Sequence, residues 1–370
     1  MKFSLPKSRL THYLQAVLTV IPTKSTLPIL SNILIECLEK KIKISATDLD
    51  VTVTATFEAE VTKKGSAVIP GRMLFDIIKE LPETDIAFEG TANRIELKVP
   101  NGSYKIGGVS PEEFPELAVI NLKKQLTVET ELIVNMIKRA TFACSHDETR
   151  PALNGVLWQT KGERMVMVAT DGHRMSRVAV DNNKLKGLNE DVIIPPKVLD
   201  MVSKFIGEDT EAIGVIFEEN RIIFNLDDLV ISARLIEGPY PNYEAVIPPD
   251  SDKKMIISRD DLSSSVRRVS ILSNSLTHQV KFTIKNNSLV LSTTNADVGG
   301  EARETLPCEY KGETIEIGYN AGYVHDILSK MEGDEVVFEL SSAVAAGIVY
   351  SSDIPKDDFL CLVMPLRLTE

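Results

Sequence analysis

One short run of this chain could do chemistry. Thr170-Asp171-Gly172-His173-Arg174 sets an imidazole two residues from a carboxylate and next to a guanidinium. Such neighbours can act as an acid–base pair in hydrolysis. The run brings no activated nucleophile with it, and spatial partners stay open at this stage. The matching place earlier in the chain reads Asp48-Leu49-Asp50, without a histidine, so the run is not a duplicated catalytic unit. A loop or binding surface is the competing reading. The glycine-rich phosphate loop, the HExxH zinc helix, paired CxxC and the GxSxG elbow are all absent from the sequence. Cys37, Cys144, Cys308 and Cys361 lie far apart, each inside or beside an apolar run. That spacing predicts buried, reduced thiols, with no disulfide framework, metal site or cofactor.

The elements that must position this run repeat along the chain. At 370 residues, two or three domains are expected. No apolar run is long enough to span a membrane and the first residues turn polar at once, so a cytoplasmic protein is expected. Self-similarity appears at a period of about 124 residues, too long for a solenoid and suited to duplicated domains. Each copy opens with a short alternating strand: Lys2–Leu5, Leu126–Glu129 and Met255–Ser258. An amphipathic helix follows, with apolar residues at helical spacing such as Leu10, Leu14, Val17 and Leu18. Alternating strands then end in Ala46-Thr47-Asp48, Ala169-Thr170-Asp171 and the looser Thr294-Asn295-Ala296-Asp297. A second helix and a closing strand pair complete each unit. Proline-rich links, Pro111-Glu112-Glu113-Phe114-Pro115 and Gly238-Pro239-Tyr240-Pro241, join the copies. The fold class expected is α+β: three tandem domains, 1–122, 123–250 and 251–370, each with two helices on antiparallel sheets.

Charge divides along the same lines. The whole chain is −12, which argues against a simple basic nucleic-acid binder. The six predicted helices together carry +5, leaving −17 on strands and loops. A surface lined by the helices would be the only one attractive to phosphate. Solvated helix faces would give the same count.

These residues resemble a known family from end to end. The stretches that carry the likeness are Thr26-Leu27-Pro28-Ile29-Leu30, Ala169 to Arg174, Pro241-Asn242-Tyr243, Ile271-Leu272-Ser273-Asn274, Ile317-Gly318-Tyr319-Asn320 and Val363-Met364-Pro365-Leu366-Arg367-Leu368. They are similar to the β sliding clamp family of bacterial DNA polymerase III. The resemblance implies DNA-clamp domains, a head-to-tail homodimer forming a six-domain ring, helices lining the hole and acidic sheets outside. It implies a processivity factor without catalysis, which encircles double-stranded DNA regardless of sequence. Its partners would be DNA polymerase subunits, the clamp loader and repair proteins, bound through short peptide motifs.

The resemblance also implies a peptide groove between the second and third domains. Its lining would be Leu153, Thr170, Gly172, His173, Arg174, Met175, Pro241 and Val246, with Asn320, Tyr323, Val344, Ala346, Leu362, Val363, Met364, Pro365, Leu366 and Arg367. Apolar walls would hold hydrophobic anchors, while Arg174, Asn320 and Arg367 would fix the peptide backbone. Ala245 and Thr277 depart from the family, where arginine and an aromatic residue are frequent, so a plainer rim is expected. DNA-facing candidates are Lys24, Arg72, Lys138, Arg139, Arg150, Lys197, Arg267 and Arg268. Ile271 and Leu272 of one chain are expected to meet Tyr104 and Ile106 of another. The alternatives are a hydrolase centred on Asp171 and His173, and a monomeric triple-repeat scaffold.

Overall fold

A computed structural model describes residues 1–181, 191–249, 253–295 and 299–368. The first copy contains β1 (Lys2–Pro6), α1 (Lys7–Val17), β2 (Asn32–Cys37), β3 (Lys41–Thr47), β4 (Val51–Glu58), β5 (Glu60–Lys63) and β6 (Gly65–Pro70). It ends with α2 (Gly71–Glu80), β7 (Asp85–Thr91), β8 (Arg94–Val99) and β9 (Gly102–Gly107). The second contains β10 (Leu126–Glu129), α3 (Thr130–Ala140), β11 (Val156–Lys161), β12 (Arg164–Thr170), β13 (Arg174–Asp181) and β14 (Asp191–Ile194). It continues through α4 (Pro196–Phe205), β15 (Ala212–Glu218), β16 (Arg221–Leu226) and β17 (Leu229–Arg234). The third contains β18 (Lys253–Ser258), α5 (Arg259–Ser270), β19 (Gln279–Lys285), β20 (Ser288–Asn295), β21 (Gly300–Pro307) and β22 (Glu309–Tyr310). It closes with β23 (Ile315–Asn320), α6 (Ala321–Leu328), β24 (Glu335–Leu340), β25 (Gly347–Ser351) and β26 (Phe359–Val363).

All six helices lie where the 3.6-residue spacing predicts them. In α1 the stripe Leu10, Leu14 and Val17 is buried, and in α2 Leu74 and Ile78 are. Gly71 opens α2 because a Cβ there would sit 2.8 Å from both Ile21 Cδ1 and Ile33 Cγ2. In α5, Ser258 caps the helix by accepting from Asp261 N–H, and Asp260 and Asp261 occupy the first turn where the dipole favours them. No helix among the described residues is long and apolar enough to cross a membrane.

The sheets correct one expectation. Each copy closes on a three-stranded meander, not a hairpin: β7-β8-β9, β15-β16-β17 and β24-β25-β26. In the second and third copies this extra strand, β17 and β26, pairs with the copy before. In the first compact unit, Met1–Val134 with Lys197–Leu235, the order is β5-β1-β7-β8-β9 in one sheet and β10-β15-β16-β17-β4-β3-β2-β6 in the other. In the second unit, Asn135–Pro196 with Ile236–Glu370, the orders are β14-β11-β12-β13-β26-β25-β24-β18-β22 and β21-β20-β19-β23. The middle copy therefore contributes one meander to each unit, because β17 pairs with β4 and β13 with β26. The expected boundary at 250 falls in residues 250–252, and Ala296 and Asp297 of the third repeat motif fall in 296–298, all outside the described residues. The four cysteines are buried, and burial pushes the Cys37 and Cys308 thiols up to about 11.

Candidate functional site

The Thr170–Arg174 run is the turn between β12 and β13. Thr170 Oγ1 donates to Arg174 O at 2.6 Å and accepts from Gly172 N–H at 3.1 Å. Asp171 Oδ1 accepts from the N–H groups of His173 at 2.8 Å and Arg174 at 2.9 Å. Gly172 sits at φ +90°, where a side chain is strained. The first copy builds the same turn. Thr47 Oγ1 donates to Val51 O at 3.0 Å, Asp48 Oδ1 accepts from Val51 N–H at 2.7 Å, and Leu49 takes φ +82°. The repeated Thr-Asp pair is thus a turn-forming device. Asp171 is spent on backbone amides and on Arg174, and His173 is exposed, so the acid–base reading of this pair is corrected.

Arg174 is the centre of the site. Its Nε donates to Asp171 Oδ2 at 3.1 Å and its Nη1 to Asp326 Oδ2 at 2.5 Å. The guanidinium lies 4.7 Å from the Tyr323 ring centroid and 5.4 Å from that of Phe142. The His173 ring lies near-parallel to that of Tyr323, at 6.2 Å between centroids. Burial pushes the Tyr323 hydroxyl up. Asn320 caps α6, its Oδ1 accepting from Gly322 and Tyr323 N–H, while its Nδ2 donates to Thr277 O. Arg174 and Asn320 therefore build the site with side chains already committed. Both side chains already hold the turn and the helix start that border the expected peptide groove. Phe142 and Asp326 were missed in the sequence because only folding brings them against Arg174.

The segment after β26 borders this loop. Met364 N–H donates to His173 O at 2.8 Å, Leu366 N–H to Gly318 O at 2.8 Å, and Gln279 Nε2 to Arg367 O at 3.1 Å. Beside it lies a hollow of about 550 Å³ lined by Glu316, Ala343, Val344, Pro365, Leu366, Arg367 and Leu368. Val344 is 74% exposed and Met364 is 39% exposed, a combination of apolar groups that water solvates poorly. Val246 and Pro241 are exposed on the link, and Pro241 lines a second hollow of about 390 Å³ with Tyr240, Tyr243 and Leu157. Leu153, Met175, Leu362 and Val363 are buried, so their side chains are wall and core instead of open lining. Met175 and Leu362 pack with Leu157, Tyr243 and Ile348, and half-buried Ala346 lies against that cluster.

The other expected residues divide. Lys24 and Lys138 are exposed. Arg72 is exposed and donates to Ile21 O, Arg150 pairs with Asp147 at 2.8 Å, and Lys197 with Asp48 at 3.2 Å. Arg267 meets His325 Nε2 at 2.8 Å. Arg268 holds Glu304 with two nitrogens, at 2.8 and 2.6 Å. Arg139 is a correction: it is buried, paired with Glu332 at 2.7 Å and set 4.8 Å from the Phe359 ring, so it has no face for phosphate. Of the expected interface residues, the Ile106 side chain is 2% exposed, whereas Tyr104 and Ile271 are exposed and Leu272 is half-buried.

Three family models cover nearly the whole chain. The N-terminal, central and C-terminal domains of the DNA polymerase III beta subunit match residues 1–118, 127–242 and 244–367. The beta sliding clamp of Chlamydia muridarum is 29% identical over 371 residues, covering 100% of this chain and 99% of that protein. That of Bacillus subtilis is 26% identical over 380 residues, covering 99% and 100%. The crystal structure of the Bartonella birtlesii sliding clamp, bound to griselimycin, superposes with a TM-score of 0.94 at 31% identity over 100% of both chains. Three domain matches in order, a whole-length relative above 30% identity and three copies of one unit lead to a single conclusion: this chain belongs to the beta sliding clamp family, the DNA polymerase III beta subunits.

Proposed function

We propose that two copies of this chain close head to tail around duplex DNA, and that polymerases tether to the ring through short peptides bound beside the Arg174 loop. The role is that of a processivity factor without catalysis, as in the family. One observation carries the ring: the rule by which copies pair. Twice within the chain, the last strand of one copy adds antiparallel to the outer strand of the first meander of the copy before it. Ala233 stands opposite Val51, and Val363 opposite Arg174. Counting from the turns, the third copy's counterpart of Val51 and Arg174 is Gly300, and the first copy's counterpart of Ala233 is Ile106. Both belong to edge strands, β21 and β9, that have no second partner among the described residues.

Unpaired edges invite a strand, and heterologous ends that meet head to tail make a ring when the rotation closes. Extending the rule sets Glu301 of one copy opposite Lys105 of the other, and Ala302 opposite Tyr104. Opposite charges then face each other across the seam. Ile106 would contribute its backbone, consistent with its buried side chain. Exposed Ile271, at the end of α5, supplies apolar area nearby. Two further features support the remaining parts of the reading. The helices are the basic elements of an acidic chain, and exposed Val344 and Met364 offer peptide anchors next to a stiff Pro365.

The experiment is retention on DNA. Phosphate-bound proteins with 6–10 contacts lose roughly 10³–10⁵ in affinity between about 50 and 200 mM salt. A closed ring loaded on a circular plasmid should stay for minutes in high salt and leave quickly once the plasmid is cut. Equal retention on circular and linear DNA would overturn the proposal.

A further inference from the structure

The first link, over residues 117–122, crosses the outer face of the sheet where β4 meets β17 and leaves a cavity of about 310 Å³ beneath it. That volume lies at the small end of ligand pockets. Thr52, Thr54, Thr56 and Ser232 line its wall, the Thr52 and Thr54 hydroxyls already bonded to those of Thr47 and Ser45 at 3.0 Å, and Lys43 and Arg221 are its cations. Ser232 is 3% exposed, and its Oγ has no hydrogen-bond partner. An unanswered buried hydroxyl is costly and marks a place where a polar atom is missing. Arg221 makes no ion pair among the described residues, while Lys43 is already held by Glu36 at 3.0 Å. One uncompensated positive charge is left. The rest of the lining is apolar: Leu117, Ile120, Leu122 and Val230, with Val119 at the rim. The hollow beside the second link has no counterpart of Ser232 and Arg221 among those contacts: Lys161 pairs with Glu244 at 2.6 Å, and Tyr243 donates to Gln159 at 2.8 Å.

We propose that the cavity under the first link is a binding site for a small monocarboxylate with an apolar body. The carboxylate would accept from Arg221 and from the Ser232 hydroxyl, and the hydrocarbon would lie against Leu117, Ile120 and Val230. A monoanion fits because the site offers one net positive charge. A medium-chain organic acid fits because the cavity holds only a few carbon atoms beyond the head group. Such a ligand bridges the link and the β4–β17 seam, so it stabilises the junction between the first two copies by mass action. The site is independent of ring closure and of the peptide groove.

Ligand-observed saturation-transfer NMR on the full-length protein tests it, with hexanoate as the probe. Saturable binding is expected with a Kd on the order of 1 mM, the scale for a ligand of so few heavy atoms. Arg221→Gln should weaken it about tenfold or more, the effect of losing a charge-assisted hydrogen bond, with the melting temperature unchanged. Ser232→Val, which fills the wall with an apolar group, should also abolish binding. Acetate and hexan-1-ol should each bind far more weakly than hexanoate. N-acetylleucine separates a free acid from a peptide carboxy terminus, and tighter binding of N-acetylleucine would overturn the free-acid assignment. Hexan-1-ol binding as well as hexanoate, a signal that never saturates, or full binding in both variants would overturn the site itself.

Discussion

Arg174 Nη1 and Asp326 Oδ2 lie 2.5 Å apart, and this contact ties the turn that opens β13 to the helix α6 of the following copy. Asp171 holds the same guanidinium from the other side at 3.1 Å. With a side chain only 12% exposed, Arg174 is screened little by water. Its place is against the Tyr323 ring and at the end of the turn whose His173 carbonyl accepts from Met364 N–H.

Removing that cation should therefore cost stability before it costs recognition. Arg174→Ala removes the partner of Asp171 Oδ2, which is left with only the backbone amides on Oδ1, and should destabilise the protein by about 2–4 kcal/mol. Asp326 is about half exposed, so Asp326→Asn should cost about 1 kcal/mol or less. Urea unfolding of the two variants measures this ordering. An Arg174→Ala protein as stable as its parent would show that the guanidinium is dispensable.

The seam between chains can be tested by exchanging its charges. Lys105→Glu alone should weaken the dimer by repulsion with Glu301, and Glu301→Lys alone should do the same against Lys105. The double exchange should recover much of the loss. Ile271→Ala with Leu272→Ala should yield monomers. Sedimentation equilibrium reads all four, and independent effects of Lys105 and Glu301 would mean that the two are not opposed.

Peptide recognition should depend on the segment after β26. Removing residues 364–370 takes away Met364, Pro365 and Leu366 and the hydrogen bonds to His173 O and Gly318 O. A polymerase-derived peptide should then lose measurable affinity by calorimetry, while the dimer persists, since β9, β21 and α5 are untouched. Unchanged affinity would exclude this segment from the site.

Acid should separate Glu304 from ordinary carboxylates. Its carboxylate accepts two hydrogen bonds from Arg268 and one from Ser265, which hold its pKa down at about 2. A free glutamate titrates near 4.3. The folded value is the lower one, so the pair stabilises the native state above about pH 4.3 and loses that effect as the pH falls towards 2. The gap in urea midpoint between the parent and Arg268→Ala should be widest near neutrality and close on acidification. A gap independent of pH would place the effect of Arg268 elsewhere.

Local pattern was enough for much of this protein. Helical spacing located all six helices, alternation located the strands around Thr47 and Thr170, and the period revealed three copies, because these signals depend on neighbours along the chain. The residues of the Thr170–Arg174 run were legible too, but their chemistry was not. Nothing local says that Asp171 is consumed by two backbone amides and Arg174, or that Asp326, far along the sequence, completes the pair. Burial decided Arg139 in the same way: its place in a helix suggests exposure, and Glu332 and Phe359, distant in sequence, stand against it. The third strand of the first closing meander went unread because Gly102–Gly107 is mostly exposed and weakly alternating. Its identity as a strand rests on hydrogen bonds to β8, and that of β17 and β26 partly on bonds to the copy before. Secondary structure follows from short-range chemistry, whereas the joining of copies and the commitment of charges follow from which backbone edges and side chains the tertiary fold brings within bonding distance.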